Sequence, residues 1–260
     1  MERITWVDAL RGIAIVLMVI YHFFFDLFYY RLADIPLEDI GWVIFQRVIA
    51  TLFLTLVGVS LVLSENAGRQ AKQGPKGYER HFRRALKFGG VALLITALTW
   101  IYPHYAFIQF GIIHFIALST LIAPFFFRFG RLNAVLGIIV IAMGSFTVNI
   151  TTDNCYLFWL GLTCPSYVAL DHYPIFPWFG LVLVGMAVGQ KIFGLSEVRT
   201  GDDRNKKMPQ TRIFSAGPLS WLEDKLAFLG RHSLLIYVVH QVVLVLVIVG
   251  YKAFVLHAYG

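Results

Sequence analysis

The chain has 260 residues, 58% of them hydrophobic and 14% charged, with a mean hydropathy of +0.70; soluble domains run at roughly 45–50% apolar and about 25% charged. A soluble globular fold is thereby excluded, and an all-α, polytopic integral membrane helix bundle is expected. At this length the apolar runs leave no space for a separate soluble domain, so residues 1–260 are expected to form a single transmembrane domain.

Windows of roughly 17–25 apolar residues place about seven spans, at 12–31, 42–63, 86–102, 108–127, 133–150, 174–193 and 233–255. The first opens with "DALRGIAI", where Arg11 marks an interface, and leads into Asp26 and two tyrosines without a small-residue cleavage site, so no cleaved signal peptide is expected. The second carries Arg47 about two turns in and ends in "LFLTLVGVSLVLS", whose Gly58 and Ser60 permit close helix packing. The basic stretch 64–86 follows, with Gly and Pro at 74–77 ending any earlier helix and Tyr78–Lys87 forming a basic helical turn at the membrane surface. After the third span, "YPHYAFIQFGIIHFIALS" brings Gln109 and His114 into the apolar layer. The fifth span is a packing element. The loop 151–173 contains both cysteines, Cys155 and Cys164, which a disulfide and free thiols fit equally well. The sixth span enters through the prolines and aromatics of "LDHYPIFPWFG". The segment 194–225, with "RTGDDRNKKMPQ", reads as loosely ordered linker. The last span begins with "LGRHSLLIYVVHQ" and carries His240 and Gln241 about two turns inside.

The positive charge has a topological pattern. With the N-terminus in the cytoplasm, 19 of the 22 Lys and Arg residues fall on the cytoplasmic side, leaving Arg31, Arg47 and Lys252 elsewhere. This is the asymmetry of the positive-inside rule. It puts 64–86 and 194–232 inside and 151–173 outside, and it accounts for the net charge of +7 without nucleic acid. A location in a bacterial cytoplasmic membrane is expected, and an oligomer is compatible with the sequence.

Strongly polar residues inside the spans are few: His22 and Asp26, Arg47, Gln109 and His114, His240 and Gln241. Each has a bland reading, an interhelical hydrogen bond contributing about 0.6 kcal/mol on average. His22 has a sharper one. It lies roughly 15 Å below the start of its span, and Asp26 follows one turn later on the same face, where a carboxylate can orient an imidazole as a general base. Arg80, Arg83, Arg84 and Lys87 share a helix face and either enforce topology at anionic lipid or clamp a phosphate-rich ligand, with Arg11 as a possible fifth member. No metal site is expected. A small proton-coupled transporter, with His22, Asp26, His114 and His240 as a relay, is the alternative, although neither inverted repeats nor paired broken helices are visible.

"RITWVDALRGIAIVLMVIYHFFFDL", "FGIIHFIALS", "DHYPIFPWFGLVLVGMAVG" and "GRHSLLIYVVHQ" together resemble, in order and spacing, prokaryotic members of the heparan-alpha-glucosaminide N-acetyltransferase-like family, within the wider group of transmembrane acyltransferases. The resemblance implies an enzyme that takes an acyl group, usually acetyl, from cytoplasmic acyl-CoA and delivers it to a sugar-containing acceptor. It matches His22 to the catalytic histidine that follows an "LRG" opening, and Arg80, Arg83 and Arg84 to residues that hold the CoA phosphates. The eukaryotic lysosomal members place asparagine opposite His22 and their catalytic histidine in the loop after the first span, whereas "YYRLADIPLEDIG" has none. Either His22 or His114 therefore performs the step.

Overall fold

The computed structural model describes residues 4–70, 77–194 and 220–259. Among them are eight α-helices: α1 Thr5–Tyr29, α2 Ile40–Gln70, α3 Tyr78–Ile101, α4 Ile112–Ile122, α5 Asn133–Thr147, α6 Ile175–Phe193, α7 Ser220–Arg231 and α8 Ser233–Tyr259. Six helical stretches among the described residues are long and apolar enough to cross a membrane. The expectation of about seven differs because the fourth and fifth runs join into one stretch, Ile112–Thr147. There α4 passes into a 3₁₀ segment, Ala123–Leu132, opened by Pro124 and broken at Gly130, whose φ of 54° only glycine adopts cheaply.

Other boundaries also move. Of the basic stretch 64–86, residues up to Gln70 belong to α2, the helical turn expected from Tyr78 is the start of α3, and residues 71–76 lie outside the described residues. The positive φ of Gly77 starts α3. Likewise, α7 occupies part of the segment read as linker, while residues 195–219, including "RTGDDRNKKMPQ", lie outside the described residues.

The chain divides into two compact units, Met1–Phe53 with Lys207–Gly260, and Leu54–Lys206; α2 runs from the first into the second. In the first unit, Ile15, Met18 and Ile49 form a core that Val16, Tyr21, Phe45, Leu229, Ile236 and Tyr237 cover. Here α7 lies directly on the start of α1. A Cβ on Gly12 would strike the Leu226 carbonyl, and one on Gly230 would strike that of Asp8, so backbone meets backbone. Such contact through small residues is how helices associate without a hydrophobic drive between them.

In the second unit the same device joins α2 to α6, where Gly58 faces the backbone of Val182 and Met186 and Gly185 faces Thr55. Between α5 and α6, a Cβ at Gly137 would come within 2.6 Å of the Gly180 carbonyl oxygen. Buried Leu54, Leu61, Phe115, Leu183 and Met186 fill the space between the helices. The loop after α5 is stapled by a Cys155–Cys164 disulfide, Cα–Cα 5.4 Å, and tied by a short parallel bridge between Phe110 and His172.

Candidate functional site

A histidine side chain on a helix leans toward the helix N-terminus. On α1, His22 does so, and its Nδ1 lies 2.9 Å from the Met18 carbonyl oxygen. A carbonyl only accepts, so Nδ1 carries the proton and Nε2 keeps its lone pair. The lean also takes the ring away from Asp26, and the expected His22–Asp26 hydrogen bond is not formed. Asp26, 1% exposed, instead accepts through Oδ1 a hydrogen bond of 2.8 Å from the Nε2 amide of Gln241 on α8.

The same two helices bring a second imidazole to the first. The rings of His22 and His240 meet edge to face, 4.8 Å between centroids. His240 Nδ1–H donates to the Tyr237 carbonyl at 2.7 Å, so its Nε2 is also the basic nitrogen. That Nε2, with Asp26 Oδ2 and Gln241 Oε1, is buried and without a hydrogen-bond partner. An unsatisfied buried polar group costs about 1–3 kcal/mol, and three of them on one pair of facing helices mark a place built for something polar. Arg47, also in the first unit, has its side chain exposed. Arg11 is held by Asp8 at 2.6 Å.

His114 is placed quite differently. It sits in the first turn of α4, where Nδ1 accepts the backbone N–H of Gly111 at 3.3 Å and Nε2–H donates to Thr96 Oγ1 at 3.0 Å. The threonine passes the chain on to the Ile108 carbonyl at 2.7 Å. Both ring nitrogens are used. Asp171 completes this helix start by accepting the Ile112 N–H at 2.9 Å. Gln109 lies in the bend just before α4, half-buried.

Beside Asp171, Tyr167 stacks on Phe158 with 4.6 Å between centroids and reaches His172 Nδ1 at 3.3 Å. Burial lowers the His172 pKa to about 4. Burial and then the Asp171 charge raise that of the Tyr167 phenol. Sequence reasoning passed over Asp171 and Thr96; the signal available was an acidic residue just ahead of an apolar run.

The α3 arginines do not act as one face. Arg83 is exposed and bonded to Glu79, at 2.6 and 3.0 Å. Arg84 rests against the Phe88 ring, 5.7 Å from its centroid. Arg80 turns inward onto Glu65 of α2, at 2.9 Å. Glu65 also takes Arg69 at 3.0 Å and the fully buried His81 at 3.0 Å. Neither Glu65 nor His81 stood out in the sequence, although Glu65 and Arg69 have the i, i+4 spacing of a helical ion pair.

A family model described as heparan-alpha-glucosaminide N-acetyltransferase, catalytic, matches residues 3–242. The chain belongs to this family. No curated protein and no solved structure matches it. The matched stretch ends one residue past Gln241 and so takes in both facing segments of α1 and α8. Family and helices together make the chain an integral membrane acetyltransferase.

Proposed function

We propose that the protein transfers an acetyl group from acyl-CoA, held at the cytoplasmic face of a bacterial inner membrane, to the amine or hydroxyl of a sugar-containing acceptor, with His22 as the general base. The observation that carries this reading is the α1–α8 cluster. There, two imidazoles present basic Nε2 atoms beside a carboxylate and an amide whose outer oxygens lack partners. A neutral imidazole fixed through Nδ1 is ready to take a proton at Nε2. The acceptor heteroatom attacks the thioester carbonyl, its proton passes to His22 Nε2, and the C–S bond breaks to release the CoA thiolate. Because thiolate is a good leaving group, most of the protein's task is positioning. Asp26, oriented by Gln241, and His240 present polar atoms to the acceptor or to the water it displaces. His114, with both nitrogens engaged, serves as a cap on α4. Arg80, Arg83 and Arg84 of α3 supply charge for the donor's phosphates.

The test is label transfer from radiolabelled acetyl-CoA to a panel of amino sugars and glycans by the full chain in lipid nanodiscs. Transfer by the wild type that is lost in His22→Ala is the expected result. Transfer that survives His22→Ala removes the base, and proton-coupled flux without any transfer would favour the transporter.

A further inference from the structure

On α2 and α3 of the second unit, donors from three side chains converge on one carboxylate. Arg69 Nε reaches Glu65 Oε1 at 3.0 Å, while Arg80 and His81 Nε2 reach Oε2 at 2.9 and 3.0 Å. The arrangement is that of an anion site, with donors spread about a pair of oxygens, and its occupant is the chain's own glutamate. Two further details bear on it. The Arg80 guanidinium lies against Gly68, where any Cβ would collide with it, so α2 provides a bed for that group. Arg80 Nε, moreover, is buried without a partner. Two arginines and a histidine thus share a single carboxylate.

We propose that Glu65 is a built-in counter-anion that competes with the phosphates of the acyl donor for Arg80 and Arg69. The proposal rests on the donor reading given above. When a phosphate arrives, the arginines exchange a carboxylate for a more highly charged partner with the same two-oxygen geometry. The free site is thus never left as a pair of uncompensated cations. The phosphates are identical in the acyl donor and the thiol product, so Glu65 weakens both alike. Uniform weakening of this kind raises the donor KM and hastens product release.

The experiment measures binding of 3′,5′-ADP and of inorganic pyrophosphate to the full chain in nanodiscs by calorimetry, comparing wild type, Glu65→Gln and Arg69→Ala. Removing the internal competitor is expected to tighten 3′,5′-ADP by about tenfold, and Arg69→Ala to weaken it by a similar factor. Unchanged or weaker binding in folded Glu65→Gln overturns the proposal and leaves Glu65 as a clasp between α2 and α3. Arg69 is half exposed, so Arg69→Ala removes only a surface-facing partner of Glu65, and unchanged affinity in that variant overturns the proposal even if Glu65→Gln yields no folded protein. Tighter 3′,5′-ADP binding in Glu65→Gln alongside a wild type that transfers no label would retire the acyl-CoA reading and leave the competing glutamate standing.

Discussion

Two histidines in apolar helices, His22 and His114, look alike in the sequence and are treated in opposite ways by the fold. Around His114 every polar valence is spent: Gly111 N–H on one nitrogen, Thr96 on the other, Asp171 on the next amide. Around His22 the nitrogen nearest the backbone is spent, whereas its neighbours Asp26, Gln241 and His240 each keep a buried atom with no partner. A polar residue in a membrane helix is costly in either setting. What separates structural from chemical use is whether the surrounding groups have been satisfied.

The comparison breaks most clearly at the proposed base, His22. His22→Ala should lower acetyl transfer by about 10²–10⁴-fold with little change in thermal stability, read by label transfer alongside a melting curve. If the two were equivalent, His114→Ala would do the same. Instead, loss of its cap should cost about 0.5–2 kcal/mol of stability, seen as a lower Tm, while transfer per folded molecule is retained; a 100-fold loss of transfer in that variant would reverse the assignment.

Between these two in size lies the disulfide that staples the loop bearing Asp171. Cys155→Ser with Cys164→Ser opens a loop of nine-residue separation, worth about 2–3 kcal/mol on the chain-entropy account. It should show as faster proteolysis within 151–173, with wild-type sensitivity there counting against a supporting role for the staple.

A further effect is pH-dependent and is read on the His114 side. Burial lowers the His172 pKa to about 4 from the ordinary 6.5. Between those values the unfolded loop binds a proton that the folded loop refuses. Stability contributed by the neutral ring is therefore full above pH 6.5, falls as the pH drops toward 4, and levels off below it. Amide protection factors in 167–173, corrected for the intrinsic slowing of exchange with acid, should fall over that window in the wild type and lose the dependence in His172→Gln.

Much of the fold was open to reading in the sequence, because a span is a local property of some twenty residues. The helix starts and ends were less so. Residues 64–70 are polar enough to pass for loop, yet they extend α2, and the basic turn from Tyr78 runs unbroken into α3; Glu65, Arg69, Arg80 and His81 satisfy one another across the pair. The short α7 escaped notice because its buried positions, Glu223, Ala227 and Gly230, are not an apolar stripe. His22 and Asp26 were legible as unusual residues, but their partners were not. The Asp26–Gln241 bond joins positions 215 apart in the chain, and no local spacing announces it. The one-turn pair suggested by proximity in sequence gave way to side-chain direction on the helix.

The glycine contact between α7 and α1 reaches further than packing. With no side chain between the two backbones at Gly12 and Gly230, α1 has no cushion about which to roll. His22 stands ten residues further along the same rod, roughly 15 Å away. The bearing of its imidazole is thus set from a distance, and a single methyl group at either glycine would press the two backbones apart and turn that ring without touching it.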